Sequence, residues 1–205
     1  MWDLFIKGGP IMYALLLCSA SAVYIIIQKY LFLNVQAIDE DTTLDTIKNQ
    51  LINIGKDETL RDLRSKRKII LRVAGHAIKY SHMDREAIRD SIKEASINEL
   101  QKLEKGMSVL SGIITVTPIL GLMGTVLGIM DIFNVISGGN IDNPELLSKG
   151  IAEALVTTVS GLGIAIPCIL LYQYLRSRID TVLLGMEKFA YSITLFIEDN
   201  NAIKN

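Results

Sequence analysis

Three stretches of the sequence contain no charged residue, and each is long enough to cross a membrane as a helix. They are 8–28, 106–130 and 154–175. A helix needs about 20 apolar residues to cross about 30 Å of hydrocarbon, and a helix satisfies its own backbone hydrogen bonds there. The segment between the first two stretches shows none of the alternation typical of strands. The sequence therefore predicts an all-α membrane protein with three transmembrane helices.

The distribution of basic residues predicts the orientation. Of the 21 lysines and arginines, only Lys7 and Lys149 lie outside residues 29–105 and the tail after Leu175. Because basic residues stay on the cytoplasmic side, the N-terminus should be outside and the C-terminus inside. The first stretch is expected to be a retained anchor, since it exceeds a signal-peptide core of about 7–15 residues, and a cleaved signal peptide is the alternative. The predicted segments are an outer N-terminal segment (1–9), transmembrane helix 1 (10–33), a cytoplasmic helical region (34–105), transmembrane helix 2 (106–135), an outer loop (136–149), transmembrane helix 3 (150–175) and a cytoplasmic C-terminal helix (176–205).

The middle segment and the tail both have helical periodicity. Gly55 is placed to end one helix, and no breaker is found over 84–136, so we expect a single helix roughly 80 Å long there. Helices of this length extend beyond a bilayer, and they predict a bundle formed between subunits. The apolar stripe of the middle segment consists of Leu60, Leu63, Ile70, Val73, Ala74, Ala77 and Ile78. The stripe of the tail consists of Ile179, Val182, Leu183, Met186, Phe189, Ala190, Ile193 and Ile197.

The sequence contains no pattern of an enzyme or metal site. It has no phosphate-binding glycine loop with its lysine, no nucleophile elbow and no cluster of metal ligands. His76 and His82 have no nearby cysteine and make a poor metal site, while Cys18 and Cys168 lie in apolar stretches and are expected to pack there. The net charge of −1 does not suggest a nucleic-acid partner. A non-enzymatic protein without a cofactor is predicted.

Polar residues inside the second and third stretches predict a path for ions or protons. An ionisable residue within a span costs about 2.5–3.5 kcal/mol at the centre and tends to mark a pathway or a partner. Glu153 lies immediately before the third stretch, within predicted transmembrane helix 3, Thr157 lies one turn further on the same face, and Thr158 is adjacent. Thr125 supplies a hydroxyl in the second stretch, and a hydroxyl can both donate and accept. Alternatively, Glu153 only reaches water at the outer end of its helix, where it favours the helix dipole.

Glycines in the same stretches predict close packing of the two helices. They are Gly121, Gly124 and Gly128 in the second stretch and Gly161 in the third. The spacing of Gly124 and Gly128 fits the small-xxx-small pattern of transmembrane helix pairs.

Two prolines interrupt the hydrogen bonding of these spans. Pro118 and Pro167 each remove one backbone hydrogen bond, and membranes tolerate such breaks where neighbours or water satisfy the freed carbonyls. Each proline predicts either a hinge or a fixed kink.

No stretch carries an Asp or Glu near its middle, where a proton carrier would lie. If protons cross this protein, the titrating carboxylate is expected to belong to a second polypeptide. A pore whose acid comes from another chain must be oligomeric.

Two motifs resemble the MotA/TolQ/ExbB proton-channel family. They are PILGLMGTVLG at 118–128 and GIAEALVTT at 150–158, the latter followed by Gly161, Ala165, Ile166 and Pro167. The match is strong over about 105–178. Three spans, an outward N-terminus and a GIAEAL segment with its glutamate resemble the ExbB/TolQ branch, because the MotA branch has four spans and lacks that glutamate.

The resemblance implies an assembly and a mechanism. It implies a homopentamer in the bacterial inner membrane, with a central pore lined by the second and third spans. A dimer of an ExbD/TolR-like single-span protein would lie in the pore, its membrane aspartate would carry protons, and a TonB/TolA-like protein could complete the system. Thr125, Glu153 and Thr158 match the polar pore residues of the family. Asp131 departs from the family pattern, which commonly has an uncharged residue there.

Three other functions stay open on the sequence. A MotA-like flagellar motor stator is the nearest within the family. A passive membrane scaffold would use the glycines for packing alone. A self-sufficient transporter would need a charged residue at mid-membrane or a second repeat, and the sequence has neither.

Overall fold

A computed structural model describes residues 9–36, 40–66, 68–138 and 144–203, and within these ranges all regular structure is helical. The prediction of an all-α protein is confirmed. The described residues form seven helices: α1 (Ile11–Gln36), α2 (Glu40–Asn53), α3 (Lys56–Ser65), α4 (Ile69–Lys79), α5 (Arg85–Glu104), α6 (Met107–Ser137) and α7 (Pro144–Ile203).

Three of the described helices are long and apolar enough to cross a membrane, as predicted. They are α1 over its 26 residues, α6 over its 31 residues, and the part of α7 from Gly150 to Ile197. α7 continues without interruption for 60 residues, so the tail extends the third apolar helix as the apolar stripe indicated. The predicted segment 1–9 lies outside the described residues except for Gly9, as does 139–143 of the predicted outer loop.

The described residues divide into two compact units. The first combines the described part of Met1–Gln28 with Gly106–Leu175, and the second combines Lys29–Lys105 with the described part of Arg176–Asn205. In the first unit the buried side chains include Leu15, Leu110 and Ala165, whereas many large apolar side chains of α6 and α7 are exposed. An apolar surface of this kind suits contact with lipid or with other transmembrane helices.

The second unit is built around α4, which packs against α3 and α5. The predicted stripe of the middle segment is largely buried, because α4 turns it towards these neighbours. The buried residues of α4 are Ile69, Ile70, Leu71, Val73, Ala74, Ala77 and Ile78. The tail stripe is also buried at its centre, at Ile179, Met186, Phe189, Ala190 and Ile193.

Polar side chains join the elements of the second unit at their ends. Lys29 Nζ donates to the backbone oxygens of Leu103 at 2.8 Å and Lys102 at 3.3 Å. A cation near the last carbonyls of α5 interacts favourably with the negative end of the helix dipole. The backbone N–H of Ile69 donates to Gln36 Oε1 at 2.9 Å, so the C-terminal part of α1 supplies partners to one end each of α4 and α5.

The expectation of one helix over 84–136 is wrong. α5 ends at Glu104, Lys105 is extended with ψ 123°, and Gly106 has a left-handed φ of 87° before α6 begins at Met107. Glycine adopts this region at little cost because it has no Cβ. The apolar sequence after Gly106 hid the break, since it reads as a continuation of the helix. At Gly55, which has a φ of 86°, the sequence correctly predicted that a helix ends near the glycine.

Substituting Gly106 should destabilise the protein, whereas substituting Gly112 should not. Gly106→Ala places a Cβ in the left-handed region, which costs about 1–2 kcal/mol. Gly112 is helical with nothing within 4 Å of an added Cβ, so Gly112→Ala should be neutral or stabilising by up to about 1 kcal/mol. Thermal unfolding of the purified protein by circular dichroism measures both. Equal melting temperatures for the two variants would contradict the break at Gly106.

Candidate functional site

The second and third apolar helices, α6 and α7, pack antiparallel along a line of small residues, which we call the glycine seam. On α6 it consists of Gly121, Gly124 and Gly128, all buried. A methyl group added at Gly121 would lie 3.0 Å from the backbone oxygen of Thr157, and one at Gly128 would lie 2.9 Å from that of Gly150. Real Cβ atoms rarely approach backbone to 3.0 Å and essentially never more closely, so the observed separation favours glycine at 121 and requires it at 128.

The α7 side of the seam consists of Gly150, Ala154, Thr157 and Gly161. A methyl group at Gly161 would lie 2.6 Å from the backbone oxygen of Thr117. A methyl group at Gly150 would lie 2.6 Å from Ile132 Cγ1. Sequence reasoning singled out Gly161 alone of the α7 glycines. The helical spacing of the small residues at 150, 154, 157 and 161 was the signal that could have revealed the whole face.

Thr157 fills the space that Gly124 leaves open. Its side chain is 1% exposed and lies where a Cβ on Gly124 would otherwise be. Its hydroxyl donates to the backbone oxygen of Ala154 at 2.9 Å and is 3.1 Å from that of Glu153. The structure therefore places this predicted pathway residue inside the helix–helix contact, with its hydroxyl directed to its own helix.

Thr158 joins the two helices by a hydrogen bond. Its Oγ1 donates to the backbone oxygen of Gly121 at 3.0 Å, and its side chain is half-buried. A hydrogen bond between transmembrane helices has a net value of about 0.6–2 kcal/mol. Thr158 thus helps to fix the position of α7 along α6.

Thr125 lies beside the seam and not within it. It follows Gly124 in sequence, its side chain is half-buried, and its hydroxyl donates to the backbone oxygen of Leu122 at 2.6 Å. The hydroxyl oxygen keeps its acceptor capacity while it donates to the helix. Asp131, further along α6, is exposed.

Glu153 contacts the start of α1. Its side chain is half-buried, and its carboxylate lies where a Cβ on Gly9 would be. Gly9 has a left-handed φ of 64°, a conformation that favours glycine. The carboxylate therefore lies close to the N-terminal end of α1, where the helix dipole favours negative charge. No signal in the sequence pointed to Gly9, because the contact joins residues that are far apart in the chain.

Both prolines lie inside continuous helices. Pro118 is half-buried and Pro167 is exposed, and each leaves the carbonyl four residues earlier without its usual partner. For Pro167 that carbonyl belongs to Gly163, which has nothing within 4 Å of an added Cβ. Among the described residues no group of three potential metal ligands occurs.

Substituting Gly124 should separate α6 and α7. Gly124→Ala would place a methyl group into Thr157, and overpacking of this kind costs about 1–3 kcal/mol. Gly163→Ala is the matched control, because it adds the same methyl group on α7 into open space. Thermal unfolding in mild detergent compares them. A melting temperature for Gly124→Ala equal to that of Gly163→Ala would show that the seam is not packed as described.

The contact of Gly9 with Glu153 predicts a coupling between these two positions. Gly9→Ala should cost about 1–2 kcal/mol for the left-handed backbone, with a smaller second part for displacing the carboxylate, which is the flexible end of the Glu153 side chain. Glu153→Asp withdraws the carboxylate by one methylene, so the double variant should regain the second part. Gly55→Ala measures the backbone cost alone, because Gly55 has a φ of 86° with nothing within 4 Å of an added Cβ. Additive effects in a double-mutant cycle of unfolding free energies would contradict the contact.

The family model and the individual relatives that match this sequence all point to the same protein family. The sequence model of the MotA/TolQ/ExbB proton channel family matches residues 56–188, a range that contains the whole glycine seam. An ExbB homologue of Methanothermobacter thermautotrophicus, described as a biopolymer transport protein, is 29% identical over 179 residues, which cover 87% of this chain and 63% of the relative. The ExbB-like protein 1 of Synechocystis sp. is 31% identical over 186 residues, which cover 85% of this chain and 70% of the relative.

A further relative represents the Tol system. The Tol-Pal system protein TolQ of Haemophilus influenzae is 38% identical over 84 residues, which cover 41% of this chain and 37% of the relative. The chain thus spans less than two thirds of the archaeal ExbB homologue and little more than a third of TolQ. The names of these relatives agree with the predicted ExbB/TolQ-like branch, and that prediction is confirmed.

Proposed function

The chain belongs to the MotA/TolQ/ExbB proton channel family, and we propose that it is the proton-channel subunit of an inner-membrane energy-transducing complex. Proteins of this family act in transport and are not enzymes. The observation that carries the proposal is the position of Glu153 at the margin of the closely packed α6–α7 pair, within the otherwise uncharged predicted span 150–175. The exposed apolar surface of these helices agrees with a membrane location.

We propose that Thr125, Glu153 and Thr158 line the proton path, and that Thr157 supports it by packing. The hydroxyl groups of Thr125 and Thr158 already donate to backbone oxygens, so their oxygens can accept hydrogen bonds from water. Glu153 offers the ionisable group of the set. The glycine seam would hold all three at fixed spacing while protons move past them. Pro118 and Pro167 are proposed as hinges that permit small movements of this pair.

A single α6–α7 pair does not enclose a path, so several copies are required. We propose a homopentamer in which the pairs surround a pore, with an ExbD/TolR-like dimer of single-span helices inside. That partner would provide the mid-membrane carboxylate that this chain lacks. A TonB/TolA-like protein is a further proposed partner. The coupled work would be TonB-dependent outer-membrane transport or a Tol-type envelope function.

The energy for this work would come from the membrane potential and the proton gradient. One elementary charge that crosses 100 mV releases about 2.3 kcal/mol. Protonation of the partner's carboxylate from the outer side, followed by release to the cytoplasm, would drive one set of helices to move against the other. The orientation we propose is N-terminus periplasmic and C-terminus cytoplasmic in the bacterial inner membrane, because the basic residues flank the inner ends of the spans.

The proposal predicts that Glu153→Gln and Thr125→Val lower proton flux. In proteoliposomes that contain the chain with its co-purified partner, each variant should conduct protons at least about 10-fold more slowly, since a positioned proton-transfer group contributes about 10²-fold or more. Glu187→Gln and Thr181→Val make the same chemical changes at exposed positions of the α7 tail. Both positions lie beyond the uncharged stretch at 154–175, so these variants should conduct protons normally.

The same preparations decide between the alternatives. Native mass spectrometry should show five copies of this chain with two copies of a small single-span protein. A stable monomer or dimer without a partner would contradict the assembly. Normal flux in Glu153→Gln and Thr125→Val would contradict the proton path and favour a passive scaffold. Loss of motility, with outer-membrane uptake and envelope integrity unchanged, would favour a MotA-like flagellar stator.

A further inference from the structure

The second unit contains a cavity of about 710 Å³ between α4 and α5, which we call the α4–α5 cavity. Its charged walls carry four basic side chains and one acidic one. They are Arg72, Lys79, Lys102, Lys105 and Glu99. A concave surface with an excess of positive charge has a potential that attracts anions.

The one carboxylate of the cavity is already engaged. Glu99, which is 7% exposed, accepts from Arg72 Nη2 at 2.7 Å and from Lys102 Nζ at 2.8 Å. Its two oxygens are thus occupied by two of the four basic groups. Among the described residues Lys79 contacts the neutral Tyr80 ring and hydroxyl, and Glu99 balances neither the charge of Lys79 nor that of Lys105.

Arg72 has a further donor to offer. Its Nε atom is buried and has no hydrogen-bond partner among the described residues. A buried donor without a partner costs about 1–3 kcal/mol, while the Arg72 side chain as a whole is 39% exposed, so its accessible N–H groups can donate to an anion in the cavity. Arginine is well suited to phosphate, because its planar fork presents several N–H groups at once.

The residues that line the α4–α5 cavity are close in sequence to the predicted membrane-spanning stretch at 106–130. Lys105 immediately precedes the uncharged stretch at 106–130, so we expect it at the membrane–water interface. The wall of the cavity from Ala95 to Lys105 covers only about 15 Å of helix. Leu63, Leu71 and Val73 add an apolar wall beside the basic one. A ligand with an anionic group and an adjoining apolar part matches both walls.

We propose that the α4–α5 cavity binds the phosphate headgroup of an anionic phospholipid from the cytoplasmic leaflet. Lys79 and Lys105 attract the phosphate, and the guanidinium of Arg72 hydrogen-bonds it. The proposed orientation enters only in the choice of leaflet, and the site does not depend on proton conduction. Binding would fasten the α4–α5 region to the membrane surface from which α6 begins.

The experiment uses the complete complex in nanodiscs of phosphatidylcholine, with and without phosphatidylglycerol. Phosphatidylglycerol should raise the melting temperature, and native mass spectrometry should show it retained. Lys79→Gln and Lys105→Gln should each weaken apparent binding about 5-fold, equivalent to about 1 kcal/mol per basic group near the surface. Lys93→Gln is the matched control, because it removes the same charge from an exposed position of α5 that does not line this cavity.

Two further arms test the chemistry of the ligand. Arg72→Lys keeps the charge facing Glu99 but removes the planar donor, so it should also weaken retention of phosphatidylglycerol while the protein melts normally in phosphatidylcholine. Inorganic phosphate should not substitute at equal concentration, because it has no apolar part. Equal retention in the lysine variants and in Lys93→Gln would overturn the site. Stabilisation by inorganic phosphate alone would overturn the lipid, and stabilisation by an acidic peptide alone would assign the cavity to a protein partner.

Discussion

The separation between α6 and α7 is the constraint on which the first unit depends. Within hydrocarbon no hydrophobic force pushes two apolar helices together, because lipid chains are as apolar as leucine. Association then depends on close packing and on hydrogen bonds between the helices. Gly121, Gly128 and Gly161 bring backbone against backbone, and Thr158 adds a hydrogen bond across the contact. The threonine is effective only because the glycines allow the approach, so the two devices act together.

The two ends of α1 take part in opposite electrostatic arrangements, each within its own unit. At the N-terminal end the carboxylate of Glu153 lies against Gly9, where the helix dipole favours a negative charge. Towards the other end Lys29, only 6% exposed, donates to the last carbonyls of α5. A buried charge is stable only when it is hydrogen-bonded or paired. Glu153 and Lys29 thus each lie against the end of another helix, α1 and α5 respectively, where the helix dipole favours their charge.

The sequence was sufficient for features that follow from local composition. Three uncharged stretches predicted three apolar helices, and the spacing of residues such as Val73 and Met186 predicted their burial. Long-range contacts were not predictable in this way. The partner face of the seam at Gly150 and Ala154, and the contact of Glu153 with Gly9, depend on how distant helices meet. The prediction of a continuous helix through Gly106 failed for another reason. A glycine fits both a helix interior and a left-handed break, and the apolar residues after Gly106 favoured the helix interior, which was wrong.

The structure gives Thr157 and Thr158 different positions, although the sequence analysis assigned both to the same predicted proton path. Thr157 and Thr158 are adjacent, yet one is enclosed against Gly124 and the other is half-buried and bonded to α6. On a helix, neighbouring positions differ by about 100°, so a seam centred on Thr157 turns Thr158 to one side and Glu153 to the other. A tight seam thus excludes water between the helices themselves. A water-filled path would run along the outer margins of the pair, and in the proposed assembly its remaining walls come from other copies or from a second protein. The close packing that joins α6 to α7 therefore leaves no space for a water-filled path between them, and the pair alone does not enclose one.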